Sequence, residues 1–166
     1  VEPVERQRRA EAARERLQSA TAALAASSSI EEVADATVTE ATRSLESTTA
    51  AMHMLEQGAA YHVGGLSGGR RERWSKVSMQ ADLPLTEAVR TGEALFFDEL
   101  EPLRDRWPLS PEAHAFAVLP LVASGRVLGA LSLMFAQPMK FDQDERELLL
   151  ALASQSAVAL ARAQLY

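Results

Sequence analysis

The sequence predicts an α+β domain: a central antiparallel sheet of five or six strands, helices packed on one face, and loops with a short helix on the other. Three observations carry this. Residues 116–135, FAVLPLVASGRVLGALSLMF, read as two alternating runs joined at Ser124-Gly125, where glycine supplies the positive φ of a tight hairpin turn. Both faces of that hairpin are apolar, so both are expected to be covered. Residues 49–63 repeat the pattern around Gln57-Gly58, and amphipathic helical segments flank the strands.

The elements follow in order. Residues 4–26 are polar and alanine-rich, with Ala10, Ala13, Leu17, Ala20 and Leu24 at alternating spacings of three and four. That is a thin heptad seam, fitting either a signalling and dimerising helix or a solvated helix lying across the domain. Ser27-Ser28-Ser29 ends it. Ser29 with Glu32 has capping-box spacing and starts a helix over about residues 30–45, with Ile30, Val33, Ala34, Val38, Ala41 and Leu45 toward the sheet. Thr48–Glu56 is the first strand and Ala59–Val63 its partner. Gly64-Gly65 and Gly68-Gly69 bracket a loop beside the charged stretch Arg70–Arg73. No Lys-Ser/Thr pair follows these glycines, so they do not read as a phosphate loop.

Trp74–Met79 is a third strand. Pro84 and Gly92 bound a short helix over residues 84–91. Leu95–Phe97 is a short strand ending at Asp98. Pro102, Pro108 and Pro111 keep residues 99–111 irregular, with Trp107 and Leu109 available for burial. Such a loop is either a lid over a cavity or a plain connection pinned by its tryptophan. In the long hairpin, strict alternation puts Val118 and Val122 on one face and Leu119 and Leu121 on the other. On the return strand it separates Val127, Leu131, Leu133 and Phe135 from Leu128, Ala130, Ser132 and Met134. Asp142, with Glu145 three residues on, caps a last helix from about residue 143 to the end. Leu148, Leu149, Leu152, Val158 and Leu160 wrap more than one stripe of it, and Arg162 is its only charge beyond Glu147.

Composition excludes several function classes. The net charge of −6 lacks the basic field that nucleic acid or an anionic membrane requires. No apolar run approaches a membrane span of roughly 18 residues, and no signal-peptide pattern opens the chain, so a cytoplasmic setting is expected. The first residue is Val and both ends are helical in pattern, as in a segment of a longer protein. There is no cysteine, which removes disulfides, thiolate nucleophiles and thioether-linked chromophores. His53, His62 and His114 form no HxH or HxxxH pair, and no GxSxG elbow frames a serine. No catalytic residue and no metal site are expected.

Three blocks carry a family resemblance: PLTEAVRTGE at 84–93 before a strand ending at Asp98, VLPLVASGRVLGALSLMF at 118–135, and FDQDERELLLALASQSAVALARA at 141–163. In this order they resemble a bacterial GAF domain over roughly residues 27–166, with residues 1–26 as an N-terminal signalling or linker helix. The related PAS fold lacks the Pro-started helix before the central strand. The resemblance implies a sensory module of a two-component or similar signalling protein. Such a module binds a small molecule in a pocket over the sheet, or serves only as a structural dimerisation unit. It implies a homodimer, and a covalently linked output domain such as a histidine kinase or a PP2C-type phosphatase.

Some GAF domains bind cyclic nucleotides through a dispersed Asn-Lys-Phe-Asp-Glu signature. Lys140, Phe141, Asp144 and Glu145 look similar, but their spacing is short by one and the chain has no asparagine. They read as the cap of the last helix. A bilin attached through cysteine is excluded, as are the cysteine-dependent methionine-sulfoxide reductases of this fold. Haem ligation by His62 or His114 is not expected, and the identity of any cofactor stays open.

Pocket residues are sought among aromatic and isolated polar groups near irregular segments: Trp74, Met79, Phe97, Trp107, Phe116 and Ser132, with Asp98 and Arg104 as polar groups. For Phe97 and Phe116 a plain core role is the competing reading. Leu17, Leu24, Leu152 and Ala159 are the residues expected at a dimer interface.

Overall fold

Two glycine turns and two capped helices fix the local plan. The computed structural model describes residues 3–45, 49–65 and 75–165, the side chains of 44 and 45 excepted. Trp74, the Gly68-Gly69 loop, Arg70–Arg73 and the side chain of Leu45 lie outside the described residues.

The elements are α1 (Pro3–Ala25), α2 (Ile30–Leu45), β1 (Thr49–Glu56), β2 (Ala59–Gly64), β3 (Lys76–Ser78), α3 (Pro84–Thr91), β4 (Leu95–Phe97), β5 (Ala115–Ala123), β6 (Arg126–Phe135) and α4 (Gln143–Ala163). A 3-10 turn at Glu101–Leu103 interrupts the β4–β5 connection. The six strands form one antiparallel sheet in the order β3-β2-β1-β6-β5-β4. Both two-residue turns have paired positive φ: 48° and 77° at Gln57-Gly58, 51° and 75° at Ser124-Gly125. That twist matches the flanking strands.

Caps start the helices where the sequence places them. The Glu32 N–H donates to Ser29 Oγ (3.1 Å), and the Glu32 carboxylate accepts from the Ser28 N–H (2.7 Å). Asp142 accepts from the Glu145 N–H at 2.9 Å. Gly92 closes α3 at φ 73°, its N–H donating to Ala88 O. Arg162 of α4 reaches across to the carbonyl of Leu24 (2.9 Å), satisfying an orphan acceptor at the end of α1.

The helices α1, α2 and α4 form one layer. The core between that layer and the sheet holds Val33, Ala34 and Ala41 of α2, Met52 and Met54 of β1, Leu119 and Leu121 of β5, Leu131 and Leu133 of β6, and Leu149, Leu152 and Leu160 of α4. One buried and one part-buried polar link tie the layer together. Thr37 of α2 donates to Ser156 of α4 (2.9 Å), and Ser19 of α1 donates to the buried carboxylate of Glu40 on α2 (3.3 Å). Gly129 lies against the backbone of β1: a Cβ there would meet the carbonyl oxygen of His53.

One alternation differs from expectation. Leu128 packs in the helix-side core, while Val127 packs on the opposite face. The β5–β6 register shifts between Leu121, paired with Gly129, and Val122, paired with Val127. The extra residue of that bulge moves the side chains before it to the other face. Of the apolar α4 residues that wrap more than one stripe, Val158 is 59% exposed, and Leu150 beside them is 46% exposed.

Candidate functional site: a roofed cavity on the sheet

Strand register builds the floor. On the face turned away from α2 and α4, Thr49, Ala51 and His53 of β1 stand opposite Met134, Ser132 and Ala130 of β6. On β5, Phe116 and Val118 stand opposite Met134 and Ser132. Cross-strand partners share a face and lie close together. Ala51 and Ser132 are therefore a low pair set between the taller His53, Phe116 and Met134, and the step in height is a hollow.

The start of α3 (Leu83, Pro84, Leu85) and the stretch Pro108, Leu109, Ser110 roof it. Together these walls border a half-open hollow of about 220 Å³. That is slightly below the usual range of small-molecule sites, roughly 300–1,000 Å³. Among the described lining residues none is Asp, Glu, Lys or Arg, and the polar groups are the hydroxyls of Thr49, Ser110 and Ser132 and the ring of His53.

The roof is anchored on both sides. Trp107, immediately before Pro108, is 2% exposed. Its ring lies 5.6 Å from that of Phe97, and its Nε1–H donates to Asp82 at 3.4 Å. Arg106 lies over the Trp107 ring at 4.2 Å and donates to Asp82 and Glu87, each at 3.1 Å, tying the loop to α3. The bonds from Arg106 and then Trp107 hold the Asp82 carboxyl below its ordinary pKa. On the other side, Arg104 donates to the carbonyls of Ser110 (3.1 Å) and Ala113 (2.7 Å). Its charge serves the loop's backbone and not the cavity.

His53 and His62 are paired across β1 and β2 and buried, at 3% and 2% exposure, with ring centroids 5.4 Å apart edge to face. Among the described residues, no group of three or more His, Cys, Asp or Glu is placed to hold a metal ion.

The structure sorts the residues singled out in the sequence. Phe116 and Ser132 line the cavity. Trp107, Phe97 and Arg104 lie behind the roof and hold it. Asp98 accepts from the Phe141 N–H (3.3 Å), joining the end of β4 to the approach of α4. Met79 packs on the face of the sheet away from the helices, against residues such as Val118 and Leu85, but borders a separate surface hollow with Gly58 and Val127. Phe141 stacks on Phe96 and Phe135 on the helix side of the sheet, far from a role in the cavity floor. His114 is exposed.

Of the residues expected at a dimer interface, Leu24, Leu152 and Ala159 are buried in the chain's own helix layer, at 3%, 4% and 3% exposure, and Leu17 packs partly against it. Sequence reasoning missed Ala51, His53, Leu85 and Leu109 as lining. Ala51, Leu85 and Leu109 carry no chemical signal, His53 shows in the sequence only as a lone histidine, and only the β1–β6 register puts Ala51 and His53 on the floor.

A six-stranded antiparallel sheet backed by terminal helices and faced by a roofed cavity is the plan of the regulatory α+β modules of signalling proteins. The family model for the GAF domain matches residues 27–161, and the chain belongs to the GAF domain family. No curated protein matches the sequence.

Solved structures with the same fold include the GAF domain of the Acinetobacter phosphoenolpyruvate-protein phosphotransferase, 15% identical, covering 91% of this chain and 93% of that one, at TM-score 0.81. The free methionine-R-sulfoxide reductase of Neisseria meningitidis in complex with its substrate is 14% identical, with 92% and 90% covered, at TM-score 0.77. A methyl-accepting chemotaxis protein fragment, residues 122 to 287, is 13% identical, with 88% and 97% covered, at TM-score 0.74. At such identities the likeness defines the fold, and a phosphotransferase, a reductase and a chemotaxis protein all carry it. Among the described residues, no helix is long and apolar enough to cross a membrane.

Proposed function

We propose that this chain is the sensor module of a larger bacterial signalling protein, binding a small molecule between the sheet and the α3–lid roof. The observation that carries the reading is the roofed cavity itself: a hollow of about 220 Å³ at the centre of the sheet, where a purely structural domain would place filled core. Residues 27–166 form the sensing unit, and residues 1–26 the helix that passes the change onward. The partner is a covalently linked output domain, a histidine kinase or a PP2C-type phosphatase, in the cytoplasm. The module is non-enzymatic. The reductases of this fold use cysteine, and this chain has none.

The test is native mass spectrometry of the protein purified without added ligand, repeated on Ala51→Leu. An additional mass on the parent chain that is lost from a folded Ala51→Leu supports the sensor reading. Bare protein in both, with no change in melting temperature on adding cell-extract small molecules, refutes it.

A second reading has its own observation. Leu150 and Val158 leave apolar side chains exposed on α4, and Val158 borders a groove with Leu24 and Thr21 of α1. As a structural module the chain would self-associate through this helix layer. Loss of a dimer on Val158→Glu, with no ligand response in the parent chain, is the outcome that favours it.

A further inference from the structure

We propose that the cavity is built for an uncharged, largely apolar molecule of about nine heavy atoms carrying one hydrogen-bonding group, and that it rejects anions, nucleotides among them. The inference rests on the sensor reading and names the ligand class of the same site.

Volume sets the size. A dry apolar cavity of about 150 Å³ accepts benzene, so about 220 Å³ corresponds to a ring with a short substituent, about nine heavy atoms.

The lining sets the charge. An anion taken from water needs a countercharge or a cluster of donors. Among the described residues, the arginines that hold the roof are committed elsewhere: Arg104 to the Ser110 and Ala113 carbonyls, Arg106 to Asp82 and Glu87. Pro84 at the first position of α3 has no N–H, and the Leu83 N–H donates to Thr86 Oγ1 at 3.2 Å.

The floor sets the shape. Phe116 and Met134 stand as a cross-strand pair beside the low Ala51–Ser132 pair, with Pro84 and Pro108 above. Aromatic, thioether and proline surfaces favour a flat ring. The Ser132 hydroxyl, at the centre of the floor, can donate to or accept from a single polar substituent.

Phenol, benzamide, benzoate and cyclic GMP separate these terms, since the first three share a ring and differ in charge. With the intact chain, phenol and benzamide at ten times their dissociation constants are expected to raise the melting temperature by about 3–6 °C. Benzoate and cyclic GMP are expected to give no shift. Ser132→Leu and Ala51→Val fill the floor from opposite strands, and whichever folds is expected to abolish the response to phenol and benzamide.

A shift with benzoate or cyclic GMP that a folded floor variant abolishes overturns the uncharged class and leaves the sensor reading standing. A phenol and benzamide response that survives both floor variants overturns the inference, because binding is then elsewhere. No shift with any probe also overturns it. The sensor reading then falls with it only if native mass spectrometry shows bare protein.

Discussion

Removing the indole of Trp107 should free the roof of the cavity, whereas breaking the ion pairs beside it should not. The reason is one of magnitude. Arg106 is 50% exposed at the side chain and its partners Asp82 and Glu87 are 61% and 26% exposed, so water and salt screen these pairs and their contribution is small. Trp107 is 2% exposed, packs on Phe97, and lies one residue before the roof. Truncating a buried tryptophan to alanine costs about 3–5 kcal/mol. For a chain of this size that lowers the melting temperature by on the order of 10 °C.

Equilibrium urea unfolding gives the global cost. Hydrogen exchange of the Leu109 amide, which bonds to the Trp107 carbonyl at 2.9 Å, reads the roof locally. Trp107→Ala should show both losses. Trp107→Phe should retain most of the stability, since a ring still meets Phe97 and only a long 3.4 Å bond to Asp82 is lost. Arg106→Gln should change either readout slightly, and less at high salt. If Arg106→Gln matches Trp107→Ala, the roof is held by charge and the burial argument is wrong.

Gly129→Ala should cost about 3 kcal/mol or more in urea unfolding, because the new Cβ meets the His53 carbonyl and the Met54 Cα, backbone atoms that no rotamer change can move. Gly125→Ala, in open space at φ 75°, should cost only about 1 kcal/mol from its left-handed backbone. Burial, then Asp142, raises the pKa of Glu145 above its ordinary value, with Arg9 partly opposing. Since the folded pKa is raised, the fold loses stability as pH rises through the carboxylate range; the stability of Glu145→Gln relative to the parent should therefore grow between about pH 4 and pH 7 in pH-resolved thermal unfolding. Leu152→Glu should unfold the chain, because it puts a charge into the helix-side core, while Val158→Glu, at an exposed position, should leave circular dichroism and the unfolding midpoint nearly unchanged.

The fold was legible wherever a local rule decides the backbone. Gln57-Gly58, Ser124-Gly125, Pro84 with Gly92, Ser29 and Asp142 each act within four residues of themselves, and each stands where the sequence placed it. The site was legible only in part, because its residues are chosen by register. Ser132 and Phe116 were found as isolated members of strands, but Ala51 becomes floor only when β1 pairs with β6. Arg104 and Trp107 drew attention for their chemistry near an irregular loop, and that chemistry is spent on holding the loop. The bulge that exchanges Val127 and Leu128 left no mark in a run of apolar residues, where either face accepts either side chain.

The cavity and the terminal helices lie on opposite sides of the sheet, so a ligand can influence the helices only through an element that touches both. The start of β1 meets that condition. Thr49 and Ala51 border the cavity, while Ala50, between them, packs in the core beneath the helices. That strand follows α2 in the chain, and α2 carries the buried link from Thr37 to Ser156 of α4 and the part-buried link from Glu40 to Ser19 of α1. A ligand that shifts β1 against β6 would thus load α2 before either terminal helix. Thr37→Val keeps the shape of the contact and removes its hydrogen bond to Ser156. If α2 is the coupling element, this variant should bind phenol as the parent does, yet lose any phenol-dependent change in hydrogen exchange along α4. Unaltered exchange coupling in Thr37→Val would mean that the change reaches α4 directly from the sheet, through β5 and β6, which also pack against it.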